Sequence, residues 1–356
     1  MKHPTLISIG TATPSGVISQ ADAADLECAL ASGEEPERAR TIRALYRRAG
    51  VRSRGSVLSD SGGGQEFFRA GSVRGPTTTA RGQMYRQHAG LLAEQAARRA
   101  LSLAELPPGS ITHLVTASCT GFDAPGPDQH LIRSIGLPAS VRRTHIGFMG
   151  CHAAINAIAV AAAFAADPAA RVLVCCVELC SLHYAYRADA EQLVANALFA
   201  DGAAAAVVGR HNDRGPRIRR TDAIIIPDSA DQMTWMVGDH GFEMRLSPRV
   251  PEVLGRHVPG WVEGWLAEER LTPGDVPGWA IHPGGPRVLS AVRESLGLKA
   301  DTDAVSRAVL ADHGNMSSAT VLFIIEKLLR AGDALPLVAL AFGPGLAGEG
   351  LLLSRD

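Results

Sequence analysis

Three side chains in this chain of 356 residues have the types needed for acyl chemistry: Cys151, His282 and Asn315. Cys151 stands in "THIGFMGCHAAINAIAVAAAFAADP", between a glycine and a run of small apolar residues, where strand-like sequence turns into a helix. A helix N-terminus presents free N–H groups and a partial positive charge, which lowers a thiol pKa and favours the thiolate. A packed core thiol fits the same context, because cysteine is among the most buried residue types. His282, in "WAIHPGGPRVL", follows an apolar run and precedes a Gly/Pro turn, so its imidazole is either presented at the end of a buried strand or simply structural. Asn315, in "DHGNMSSATVLFIIEKLL", precedes a strongly apolar helix, a place that ordinary N-capping also explains.

Taken together the three types say more. A Cys beside a His is an activated nucleophile pair, and Asn and His side chains can donate to a thioester carbonyl or to the enolate left by loss of carbon dioxide. Such a site accepts an acyl group and makes a carbon–carbon bond. Papain-like hydrolases share the Cys-His-Asn order, but no "CGSCW" surrounds Cys151.

These residues need a scaffold. The runs "TLISIG", "THLVTAS", "RVLVCCVE" and "AAAAVVG" read as buried strands, and they alternate with helical stretches such as "HAGLLAEQAARRALSLAEL". That alternation predicts α/β layering, with room for two domains or one large duplicated fold. The Gly/Ser/Arg-rich "RGSVLSDSGGGQEFFRAGSVRGP" reads as a surface excursion, and the polar "GRHNDRGPRIR" as the boundary between halves. "GFMGCHAAINAIAVAAAF" and "HGNMSSATVLFIIEKLL" hint at duplication, which would set Cys151 and Asn315 at matching helix starts that face each other.

A net charge of -1 argues against a general polyanion binder. The six cysteines show no CxxC pair, which argues against structural zinc, and "RVLVCCVE" reads as a strand whose thiols pack as small hydrophobes. The N-terminal "MKHPTLISIGTATPSG" lacks a signal-peptide apolar core, and no apolar run approaches a membrane span, so a cytoplasmic protein with reduced thiols is expected.

From "IGTATP" through "GFDAPGPD", "MGCHAAINA", "RVLVCCVELCSLHY", "ALFADGAAAAVVG", "GDHGFEMRLSPRVP", "IHPGGP" and "GNMSSATVLF" to "AFGPGL", the chain resembles the type III polyketide synthases. These are the chalcone synthase-like branch of the thiolase superfamily. The resemblance implies a thiolase-like fold, a duplicated αβαβα architecture with pseudo-symmetric halves, here 1–212 with the nucleophilic Cys and 213–356 with His and Asn. It also implies an acyltransferase that condenses an acyl-CoA starter with malonyl-CoA by decarboxylative Claisen condensation and cyclises the product. Cys151 would accept the acyl group, while His282 and Asn315 would act in decarboxylation. CoA thioesters are then substrates, with no cofactor, metal or carrier protein required, and a homodimer is expected.

The same resemblance places Phe199 and Met244 as gatekeepers of the CoA tunnel, Met244 where plant members carry an aromatic ring. Pro344, in "AFGPG", belongs to the loop that closes the cavity floor. Cys119, Cys180, His183 and Trp235 would line or border the elongation cavity, and Ala124 matches a residue that reaches into the partner subunit. Trp235 lies near a glycine of chalcone synthases, so a chalcone cavity is not expected; "GDHGFEM" resembles bacterial enzymes that make alkylpyrones or resorcinols. Arg47, Arg48, Arg52 and Arg54 in "LYRRAGVRSRG" are candidates for the CoA phosphates, Arg54 foremost, because a guanidinium fork donates two hydrogen bonds at once. Two alternatives remain at this point: a ketoacyl synthase of the fatty-acid initiating type, and a non-catalytic acyl-CoA-binding homologue.

Overall fold

In a computed structural model, which describes residues 3–31, 35–60, 67–68, 74–186, 189–210, 215–332 and 334–355, the apolar runs become strands of a nine-stranded sheet. The N-terminal half supplies strands β1 (Thr5–Ala12), β2 (Val17–Ser19), β3 (Ser53–Gly55), β4 (His113–Ser118), β5 (Arg142–Gly147), β6 (Arg171–Leu179) and β7 (Asp201–Gly209). Its helices are α1 (Gln20–Ala31), α2 (Pro36–Arg48), α3 (Val57–Asp60), α4 (Thr78–Ala104), α5 (Pro127–Ile135), α6 (Ala153–Phe164) and α7 (Ala190–Leu198). The C-terminal half adds β8 (Arg217–Ile225), β9 (Met233–Gly238), β10 (Gly241–Leu246), β11 (Gly278–Ile281), β12 (Leu337–Gly343) and β13 (Ala347–Ser354). Between them run α8 (Val250–Glu268), α9 (Pro286–Ser295), α10 (Ala304–His313) and α11 (Thr320–Ala331).

The strand order, β11-β12-β13-β8-β1-β7-β6-β4-β5, repeats itself about the contact of β1 with β8. On one side β4 runs parallel to β6, and β6, β7 and β1 alternate antiparallel. On the other, β11 runs parallel to β12, and β12, β13 and β8 alternate in the same way. The two half-sheets join through the pairing of Thr5 with Arg217.

Both faces of each half-sheet are covered, so the strands read as continuous apolar runs rather than alternating ones. Along β6 the side chains still alternate. Val172, Val174 and Cys176 join an inner core with α6 and α11, whereas Leu173, Cys175 and Val177 join an outer core with α4 and α5. Helices α8 and α9 cover the other half-sheet. The result is five layers, αβαβα, with α6 and α11 as the shared middle layer. Alanines 153, 154, 157 and 161 are fully buried in α6, which keeps that helix slim enough to pass between two sheets.

The expected boundary at 212/213 lies outside the described residues. So does part of the predicted surface excursion, but its flanks are not superficial: Val57, Leu58 and Phe68 are buried in the outer core.

Candidate active site

Cys151 sits in the turn between β5 and α6, and Asn315 in the turn before α11, so the duplicated topology aims two middle-layer helices at one place. His282 ends β11. Its backbone N–H extends the ladder to Leu340 O at 2.8 Å, and "PGGP" then bends the chain so that Pro286 starts α9. Cys151, His282 and Asn315 line one pocket of about 400 Å³ together with Phe199 and Met244. Three residues spread over nearly half the chain therefore converge.

Each is held differently. Gly150 adopts φ 92°, and a Cβ there would stand 2.4 Å from Pro344 Cδ, so only glycine allows the nucleophile turn to pack on the "AFGPG" loop. Asn315 is clamped by its backbone: its N–H donates to Leu198 O at 2.8 Å, and its carbonyl accepts from Ala200 N at 2.9 Å. Asn315 Oδ1 accepts from Ser317 N at 2.9 Å, which leaves the amide nitrogen as the group free to donate to sulfur or substrate.

Burial pushes the Cys151 thiol up to about 12, and hydrogen bonding from Ser317 and Asn315 pulls it back only in part. Desolvation therefore works against the thiolate expected from the start of α6. His282 is held neutral, down to about 3, first by burial and then by the neighbouring His152. Neither of its ring nitrogens has a hydrogen-bond partner among the described residues. The resting site thus pairs a thiol with a neutral imidazole that has a nitrogen available to take a proton.

Cys151, Phe199 and Met244 also border a second, larger cavity of about 1080 Å³, open to solvent at one side. Cys119, Cys180, His183, Trp235 and Pro344 line it. Trp235 lies directly across the β9–β10 hairpin from Met244, so the two project from the same face, and its indole N–H donates to Cys119 O at 2.7 Å. His183 is locked as a neutral tautomer: Nε2–H donates to Thr120 O at 2.6 Å, and Nδ1 accepts from Phe242 N–H at 3.0 Å. Burial takes it down to about 3.

Arg54 is a correction. It is 5% exposed, and Nη1 donates to Asn196 O at 2.7 Å and Phe199 O at 2.9 Å, while Nη2 donates to Ala197 O at 2.6 Å and to Gln20. These are the carbonyls that the end of α7 leaves unpaired, so this guanidinium caps a helix and braces Phe199 instead of facing solvent phosphate. Arg47 and Arg48, at the end of α2, are exposed, whereas Arg52 pairs with Asp312.

Glu178 escaped the sequence reading. It is fully buried on β6 and accepts from Cys119 N at 3.0 Å, Thr120 Oγ1 at 2.7 Å and Ser318 Oγ. Burial raises its pKa, and those bonds lower it. The signal was present in "RVLVCCVEL", where one carboxylate interrupts an apolar strand on the inward face. Among the described residues no three His, Cys, Asp or Glu side chains converge as metal ligands.

With this geometry in view, the similarities are informative. The profile of the chalcone and stilbene synthase N-terminal domain matches residues 2–212, and that of the C-terminal domain matches residues 218–355. The chain is 32% identical to the α-pyrone synthesis polyketide synthase-like Pks18 of Mycobacterium tuberculosis, over 98% of this chain and 91% of the relative. It is similar to the crystal structure of PKS-I from the brown alga Ectocarpus siliculosus, with a TM-score of 0.94 at 30% identity over 100% of this chain and 99% of the other. It is also similar to the C-terminal type III polyketide synthase domain of Steely1 from Dictyostelium, with a TM-score of 0.90 at 28% identity over 99% of each chain. Profiles across nearly the whole length, a full-length relative and an αβαβα fold with Cys, His and Asn at one pocket agree: the chain belongs to the chalcone and stilbene synthase family, the type III polyketide synthases, and is an acyltransferase.

Proposed function

We propose that this enzyme loads an aliphatic acyl group from CoA onto Cys151, extends it with malonyl-CoA and releases an α-pyrone. The observation that carries the reading is the shared pocket of Cys151, His282 and Asn315, which meets a large, mainly apolar cavity at Phe199 and Met244. In loading, the Cys151 thiol gives its proton to His282 as sulfur attacks the acyl-CoA carbonyl, and the proton leaves with the CoA thiol. His282 and the free amide nitrogen of Asn315 then donate to the malonyl thioester oxygen while the carboxylate departs as carbon dioxide. The resulting enolate attacks the Cys151 thioester and frees the sulfur for the next round. Trp235, set against His183 with ring centroids 5.6 Å apart, narrows the cavity where a chalcone ring system would need space and favours a slimmer chain. Pks18, whose name gives α-pyrone synthesis, points the same way.

In this reading both substrates are CoA thioesters, so no cofactor, metal or carrier protein is needed. Arg47 and Arg48 replace Arg54 as the residues for the CoA phosphates. A homodimer is part of the proposal: Phe122 and Met149 are 58% and 41% exposed beside the Ala124 turn, an apolar patch that a second copy would cover. A cytoplasmic setting suits a nucleophile that must stay reduced. Among the described residues no helix is long and apolar enough to cross a membrane.

The test is mass spectrometry. Incubation with acyl-CoA alone should add one acyl mass to the peptide that carries Cys151, and addition of malonyl-CoA should discharge it as pyrone products. An acyl mass found on Cys119 or Cys180 instead, with Cys151 unmodified, would refute the assignment.

A further inference from the structure

The residues from Asn196 to Ala200 serve two parts of the site at once. Phe199 borders both cavities that meet at Cys151. On either side of it, Leu198 O accepts from Asn315 N–H at 2.8 Å and Ala200 N–H donates to Asn315 O at 2.9 Å, a parallel bridge of Phe199 with Asn315. The place of the decarboxylating amide therefore depends on a segment far earlier in the chain.

That segment is where α7 stops, and a helix end leaves its last carbonyls without donors inside the helix. Their donors can be accounted for one by one. Ala195 O accepts from Phe199 N at 3.1 Å, and Leu198 O from Asn315. Asn196 O and Phe199 O both accept from Arg54 Nη1, and Ala197 O accepts from Arg54 Nη2 and from Gln20 Nε2 at 3.1 Å. Gln20 Oε1 takes the remaining Nη2 hydrogen, and its Nε2 also reaches Tyr46 O at 2.9 Å. The two Nη groups of one guanidinium are thus fully used, mostly on carbonyls of the segment against which Asn315 is registered.

The backbone of Arg54 is tied to the other side of the same bridge. It lies on β3, where Arg52 N–H donates to Ala311 O at 2.7 Å and Ser53 Oγ to Asp312 O at 3.2 Å, at the end of the helix α10 that leads to Asn315. A Cβ on Gly314 would stand 3.5 Å from Arg54 Cβ and 3.0 Å from Leu198 O. Arg54 therefore holds one side of the bridge through its backbone neighbours and the other through its fork. A cap for α7 alone needs only the second.

Resting on the polyketide synthase reading above, we infer that Arg54 is a positioning residue for malonyl-CoA decarboxylation: it fixes the Phe199–Asn315 bridge, and through it the point from which the Asn315 amide donates to the thioester oxygen. Without the fork, Asn196 O and Phe199 O lose their donor, and the segment shifts toward other donors and carries Asn315 with it. A displacement of about 1 Å in a reacting geometry slows a step severely. Acyl loading, which uses Cys151 and His282 from other turns, is touched less.

The test is a double-mutant cycle on carbon dioxide release from saturating labelled malonyl-CoA, with rates counted per Cys151 that an acyl-CoA can load, so that unfolded protein drops out. Arg54→Met should lower the rate roughly tenfold or more. In the Asn315→Ala enzyme the same change should lower it by less than about twofold, because the group it positions is gone. Arg54→Lys keeps the charge but gathers its donors on one nitrogen, and should lose less than Arg54→Met with the same non-additivity. Losses by one factor with Asn315 present and absent would mean a purely structural role and overturn the inference, as would a normal rate in Arg54→Met. If a protein that carries Arg54→Met does not fold, the cycle with Arg54→Lys decides; if neither substitution gives folded protein, Arg54 serves folding and the inference falls. No carbon dioxide from the unmodified enzyme would instead strike the synthase reading, a separate result.

Discussion

Cys151 and Asn315 occupy corresponding turns, one before α6 and one before α11, yet the two turns are held in different ways. Gly150, before the nucleophile, packs on Pro344 of the C-terminal half; Gly314, before the amide, packs on Ala200 and Leu198 O of the N-terminal half. Each half braces the other's functional residue. Asn315 is fixed on both sides by backbone hydrogen bonds and through Oδ1 by Ser317, whereas the Cys151 sulfur is met by the side chains of Ser317 and Asn315. Duplication supplied two equivalent helix starts, and specialisation made one a rigid donor and the other a thiol whose reactivity depends on its neighbours.

The comparison can be broken most forcefully at the sulfur. Cys151→Ala should lower chain elongation by a factor on the order of 10³ or more, while labelled malonyl-CoA still loses carbon dioxide slowly at His282 and Asn315. Retained elongation would remove the nucleophile assignment. Asn315→Ala should slow malonyl-CoA decarboxylation by roughly 10²–10³, the usual cost of one donor to a developing oxyanion, and leave acyl loading of Cys151 much less affected. Equal loss in both half-reactions, measured separately, would mean that the two helix starts are not specialised.

A gentler test concerns the braces. Gly150→Ala and Gly314→Ala each place a Cβ at positive φ, 92° and 72°, closer than 3.0 Å to a heavy atom of the opposite half. Each should cost about 1–3 kcal/mol in denaturant unfolding. Gly314→Ala should depress decarboxylation, and Gly150→Ala loading, if each brace serves its own residue.

The remaining effect is on pH dependence. His183 and His282 are both held down to about 3, against about 6.5 in an unfolded chain, so below pH ~6.5 the unfolded state binds more protons than the folded one. Stability is therefore full above that pH and declines on acidification toward the folded value, by on the order of 2 kcal/mol per histidine at pH 5. His183→Gln keeps a donor and an acceptor without the titration, and should flatten the fall in melting temperature between pH 7 and 5. An unchanged slope would show that His183 does not carry that share.

Much of the fold was legible because its signals are local. "RVLVCCVEL" has the apolar continuity of a doubly covered strand, "GCHAAINAIAVAAAF" the small residues of a helix between sheets, and "IHPGGP" the punctuation of a strand end. Similar grammar before α6 and α11 revealed the duplication. Arg54 was misplaced because nothing in "VRSRG" distinguishes a solvent-facing arginine from one that folds back to cap α7, more than a hundred residues later. Glu178 was overlooked for the same reason, since its donors come from β4's end and from the turn before α11.

What the sequence by itself determined was the set of reactive side chains and the backbone that presents each one, since turns, strand ends and helix starts depend on near neighbours in the chain. Tertiary structure alone decided the protonation of the Cys151–His282 pair and the inward turn of Arg54. Those properties depend on water excluded by segments far apart in the chain, and desolvation acts over the assembled site, not along the sequence.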